Sequence, residues 1–90
     1  MTRNQRAAAI ASSPLAQQIL KTRQPLPVAV INHVAANAAG MTQDQRDDAW
    51  WALSAVVEEA METGAEAARD NAQELHSVIS TANQNAGISS

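Results

Sequence analysis

The fold of this chain is decided by residues 43–83, which read QDQRDDAWWALSAVVEEAMETGAEAARDNAQELHSVISTAN. Apolar and small side chains recur through this stretch in steps of three and four residues, which is the spacing of one face of an α-helix. This face, called the seam below, consists of Trp50, Leu53, Val57, Ala60, Gly64, Ala68, Ala72, Leu75, Ile79 and Ala82. The pattern keeps its phase across Gly64, so it predicts one long helix with at most a kink there.

The start of this helix carries the strongest local signal in the chain. Thr42 is followed three residues later by Gln45, which is the spacing of a capping box. Aspartates at positions 44, 47 and 48 add negative charge near the positive end of the helix dipole.

The length of the predicted helix favours pairing with a second chain. Residues 43–83 would extend about 60 Å as one helix, whereas a compact chain of 90 residues is only about 30 Å across. We therefore expect a homodimer, in which the small residues from Ala60 to Ala72 let two helices approach closely. A hairpin that turns at Thr63 and Gly64 is the alternative.

The N-terminal half predicts three short helices. Ser12 and Ser13 end a first helix over residues 3–11, and Pro14 suits the first position of a second helix over 14–22. A third helix is expected over 27–39. We expect Pro27 to open it and Gly40 to close it as a C-terminal glycine cap.

The chain as a whole is predicted to be a single all-α domain over residues 1–83, with 84–90 as a flexible tail. Twenty of its residues are alanine, and Phe, Tyr and Cys do not occur. A chain so poor in large side chains buries little apolar surface, which again favours a shared core. Residues 24–43 carry no charge but contain two prolines, and we therefore expect a cytoplasmic protein without a membrane segment.

Charge is divided unevenly along the sequence. Residues 1–40 contain four basic and no acidic side chains, whereas residues 41–90 contain nine acidic and two basic ones. The two halves therefore carry +4 and −7, which sum to the net charge of −3. Such a division indicates either that the halves pack on each other or that one of them meets a partner of opposite charge.

No pattern in the sequence is typical of an enzyme. A nucleophile elbow, a glycine-rich phosphate loop and a zinc-binding helix are all missing. His33 and His76 lack the spacing of a metal site, and Glu58, Glu62 and Glu66 read as a solvated helix face. We expect no catalytic residue, no metal and no cofactor.

Two adjacent tryptophans provide the functional clue. Trp50 belongs to the seam, whereas Trp51 points away from it on a helix. The acidic residues that share the Trp51 face, called the acidic stripe below, are Asp44, Asp47, Asp48, Glu58 and Glu62. Because tryptophan is enriched at binding hot spots, this face is a candidate partner-binding surface. The alternative is that the basic N-terminal helices cover it.

The predicted function is therefore a non-catalytic protein–protein interaction module. It would be a small dimeric adaptor, regulator or inhibitor that binds a basic or apolar patch on a protein. One alternative is an inhibitor whose acidic stripe mimics nucleic acid, since small phage-encoded proteins often have this size and acidity. A further alternative is helix-turn-helix DNA binding by residues 1–40. It is less favoured because residues 27–39 contain no Arg or Lys.

Overall fold

The computed structural model describes residues 2–87 and confirms the all-α fold class, with no strand in that range. Its five helices are α1 (Arg3–Ala11), α2 (Pro14–Lys21), α3 (Val28–Gly40), α4 (Gln43–Thr63) and α5 (Glu66–Asn85). The predicted tail is shorter than expected, because Gln84 and Asn85 still belong to α5. Positions 88–90 of that tail lie outside the described residues.

Side-chain caps start three of these helices. The expected capping box of Thr42 and Gln45 is present at α4, and Thr2 forms a second box at α1 that the sequence analysis did not identify. At α2, the Ser13 hydroxyl accepts a hydrogen bond of 3.2 Å from the N–H of Ala16. Each cap satisfies a backbone N–H that has no partner inside its own helix.

The long helix expected over residues 43–83 does not form, because the chain reverses at Gly64 and makes a hairpin of α4 and α5. Gly64 has a φ of +76°, in the left-handed region that glycine adopts at least cost. The N–H groups of Gly64 and Ala65 both donate to the carbonyl of Ala60, at 2.9 Å for Ala65. This closes α4 with a turn of the Schellman type.

The three- and four-residue spacing of the seam continues across this turn because the part of the seam on α4 packs against the part on α5 within one chain. Its members Leu53, Ala60, Ala68, Ala72, Leu75 and Ile79 are all buried, and Trp50, Val57 and Ala82 are half-buried. The same periodic face would fit a second chain equally well, so periodicity alone did not separate a hairpin from a dimer. The length argument for a dimer no longer applies, and the homodimer stays a prediction.

The hairpin forms the centre of the domain. Helix α4 packs against α1 and α2 as well as α5, and α5 also packs against α2 and α3. This explains why Ala52, Ala55 and Val56 are buried although they lie off the seam. The domain measures 35 × 29 × 19 Å, and its radius of gyration of 12.4 Å is close to that of a compact monomer of this length.

The end of α3 differs from the expectation. Gly40 is an ordinary last helical residue rather than a left-handed cap, and the following Met41 is extended. The buried guanidinium of Arg46 instead donates to the carbonyls of Ala38 and Met41. Its Nε also donates to the buried Asn83 side chain at 2.6 Å. Arg46 therefore joins the end of α3 to α4 and α5.

A second buried polar side chain fixes the connector between α2 and α3. The Asn71 amide on α5 donates to the carbonyl of Gln24 at 2.9 Å and to the hydroxyl of Thr22 at 3.2 Å. Its oxygen accepts from the N–H of Leu26 at 3.0 Å. Because all of these polar groups find partners, the irregular connector can lie against the hairpin.

Candidate partner-binding surface

Trp51 lies on the outer side of α4 and is 55% exposed. Trp50, on the neighbouring side of the helix, is half-buried, and its ring meets that of Trp51 edge to face at a centroid distance of 5.2 Å. The indole Nε1 of Trp50 donates to the Ser80 hydroxyl on α5 at 3.3 Å. Trp50 thus packs within the fold and Trp51 is more than half exposed, as their positions on the helix indicated.

Three carboxylates of the acidic stripe accompany Trp51 on the first half of α4. Asp44, Asp47 and Asp48 are all exposed, and Asp47 and Asp48 lie one helical turn before Trp51. Within residues 2–87, no Lys or Arg forms an ion pair with any of the three. This end of the helix therefore combines carboxylates that form no ion pair with an exposed aromatic ring.

A shallow groove of about 520 Å³, called the Trp51 groove below, runs between this part of α4 and the corner that joins α1 to α2. It is lined by Ala9, Ser12, Ser13, Pro14, Leu15, Met41, Asp48, Ala49, Trp51 and Ala52. Pro14, Leu15 and Met41 were not among the residues that the sequence predicted for this surface. No pattern along the chain links them to Trp51, because only the tertiary packing brings them together.

The far end of the acidic stripe forms ion pairs with α1. Arg3 donates to Glu62 at 2.9 Å, while Arg6 pairs with Glu62 and lies 3.1 Å from a carboxylate oxygen of Glu59. The hydrogen bond from Arg3, followed by that from Arg6, lowers the pKa of Glu62 below its ordinary value. Glu62 is therefore engaged within the chain, as expected if the basic half packs on the acidic half.

Glu58 lies in a different place again. It lines a groove between α4 and α5 together with Ser54, Val57, Gln73 and His76. The acidic stripe, which looked continuous in the sequence, is thus divided into three parts. Only Asp44, Asp47 and Asp48 remain beside Trp51.

His76 has a packing role in this second groove. Its Nε2 shares a hydrogen bond of 2.9 Å with the Ser54 hydroxyl, and its ring lies 4.3 Å from that of Trp50 between centroids. Burial lowers the pKa of His76 below its ordinary value. His33 is exposed on α3, where its Nε2 lies 3.2 Å from the amide nitrogen of Asn37.

The described part of the chain brings no three His, Asp or Glu side chains together as a metal site would require. Within the same residues, no helix is both long and apolar enough to span a bilayer. Comparison with protein-family models, with curated proteins and with solved structures gave no match for this chain.

Proposed function

We propose that this chain is a non-catalytic interaction module that binds a partner protein at the Trp51 groove. The observation that carries the proposal is a tryptophan more than half exposed beside three carboxylates that form no ion pair with a Lys or Arg of residues 2–87. Exposing an indole to water forgoes the free energy that its burial would contribute, so a partner that covers Trp51 gains that contribution. Adaptor, regulator and inhibitor are the roles consistent with such a surface.

The nucleic-acid-mimicking inhibitor is a weaker proposal on this geometry. A mimic needs a row of free negative charges that replaces a phosphate backbone. Arg3 and Arg6 already neutralise Glu59 and Glu62, which leaves only three unpaired carboxylates near Trp51. Direct DNA binding is weakened by the same contacts, since these two arginines are engaged and α3 carries no Lys or Arg.

The experiment that tests the proposal is affinity capture from a nuclease-treated lysate of the source cells, read by mass spectrometry. The wild type is compared with Trp51→Ala and with Met61→Ala as a matched control. Met61 is also on α4, and its side chain is 65% exposed, but it lies outside the Trp51 groove. Circular dichroism and urea unfolding establish that both variants fold.

A protein captured by the wild type and by Met61→Ala, but lost with Trp51→Ala, supports the module. A captured set that is the same for all three proteins overturns it. Retention of the protein at 0.5 M salt favours apolar contacts, whereas steep loss with salt favours the mimic. The homodimer is a separate proposal, and the molar mass measured by light scattering decides it.

A further inference from the structure

We infer that the Trp51 groove receives an extended peptide segment of the partner in which an arginine and an apolar residue stand two positions apart. This inference rests on the proposed function and narrows it, because it names the chemistry of the bound segment. The groove carries two kinds of contact surface within a short distance. Asp48 and Trp51 line it from α4, and its larger apolar residues from elsewhere in the chain, called the floor below, are Pro14, Leu15 and Met41.

Charge complementarity determines the sign of the bound side chain. Asp44, Asp47 and Asp48 are exposed and have no cationic partner within residues 2–87. A cation at this place gains attraction without first displacing an internal ion pair. At the other end of α4 an incoming cation would have to compete with Arg3 and Arg6 for Glu62. The complementary charge is therefore positive and its place is beside Trp51.

The exposed indole favours arginine over lysine. A guanidinium is planar and weakly hydrated, so it can stack on an aromatic face while its N–H groups donate to a neighbouring carboxylate. Trp51 and Asp48 offer that pair of contacts on adjacent turns of α4. An ammonium group makes one contact as a point charge and remains more strongly hydrated.

The floor of the groove is the reason why the bound segment needs an apolar residue as well as the arginine. Leu15 and Met41 are only half-buried, and they line the Trp51 groove from different parts of the chain. A bound side chain that covers them removes further apolar surface from water, which contributes in proportion to the area. In an extended segment the side chains at positions i and i+2 point to the same side, so an arginine and an apolar residue two positions apart reach the carboxylate side and the floor at once.

The test is a selection from a random twelve-residue peptide library displayed on phage, with immobilised wild type as bait. Trp51→Ala and Asp48→Asn are used in parallel. The matched control is Glu74→Gln, which removes one exposed carboxylate on α5 away from the groove. Trp50→Phe leaves Trp51 as the single tryptophan in a chain without tyrosine, so its emission reports binding directly.

The expected result is a set of peptides with an Arg and an apolar residue two positions apart. Wild type and Glu74→Gln should retain the set, and the other two variants should lose it. The selected peptide should shift the Trp51 emission and bind about tenfold more weakly when its Arg is replaced by citrulline. Peptides that need Trp51 but carry no Arg would overturn this inference and leave the proposed function standing. Peptides that bind without any dependence on Trp51 would count against both. An empty selection would overturn this inference alone, and the affinity capture with Trp51→Ala would then decide the proposed function.

Discussion

Replacement of Arg46 by methionine should destabilise the fold more than any other removal of a single charge. The side chain of Arg46 is buried, and its guanidinium reaches three acceptors on different elements. Two are the carbonyls of Ala38 and Met41 at the end of α3, and the third is the side-chain oxygen of Asn83 on α5. Methionine fills part of the space and donates no hydrogen bond, so all three acceptors lose this partner.

The magnitude follows from the number and kind of these bonds. A hydrogen bond to a charged group contributes roughly 1.5–3 kcal/mol, and the cost of burying the guanidinium offsets part of the total. A net loss of about 3 kcal/mol is therefore expected. A chain of 90 residues has a free energy of unfolding of roughly 5–13 kcal/mol, so the variant loses a large share of its stability.

The assay is urea unfolding followed by tryptophan fluorescence and circular dichroism. With an m-value of about 1.2 kcal/mol per molar urea, the midpoint should fall by about 2.5 M. Arg69→Met is the control, because Arg69 is only half-buried and pairs with its neighbour Asp70, a contact worth under about 1 kcal/mol. If Arg46→Met shifts the midpoint no further than Arg69→Met does, the buried arginine is not what holds the end of α3.

Three further measurements test other parts of the fold. Gly64→Ala should cost about 1 kcal/mol, because φ is +76° although the added Cβ meets no atom within 4 Å. Gly40 is equally open but helical, so Gly40→Ala should instead stabilise the fold by up to about 1 kcal/mol. Equal effects of the two substitutions on urea unfolding would contradict the hairpin turn. Asn71→Ala should lower the free energy of unfolding by about 2 kcal/mol. It should also speed amide hydrogen exchange in residues 22–26 before the rest of the domain, whereas uniform exchange would refute the anchoring role of Asn71. Burial lowers the pKa of His76, so the unfolded chain binds this proton more tightly and the free energy of unfolding should fall as pH drops below about 6.5. A ring titration midpoint at or above that value in NMR would contradict the packing against Trp50.

Much of the helical content was predictable because it depends on local signals. Ser13 with Pro14, and Thr42 with Gln45, act within one turn of the chain, and the observed α2 and α4 begin at the residues that these signals indicate. Gly64 was identified as the possible turning point. Periodicity could not decide whether the two parts of the seam pack against each other or against a second chain.

The part that escaped prediction depends on contacts between distant residues. Arg46 reads as one more charged position in a polar first turn, yet it is buried because α3 ends beside it. For a similar reason, the acidic stripe expected from the sequence does not form one continuous surface. Helical spacing places Glu62 on the same side of α4 as Trp51, but it contains no information on where α1 lies.

The exposure of Trp51 follows from where α1 stops. Helix α1 runs antiparallel to α4, since Arg3 meets Glu62 near one end and Ala9 lies in the groove beside Trp51 at the other. The chain then breaks at Ser12, because Pro14 has no N–H and must begin a new helix. One more turn of α1 would continue along α4 toward Asp48. The break therefore leaves the indole and its carboxylates uncovered, and the residues that cause the break line the groove that results.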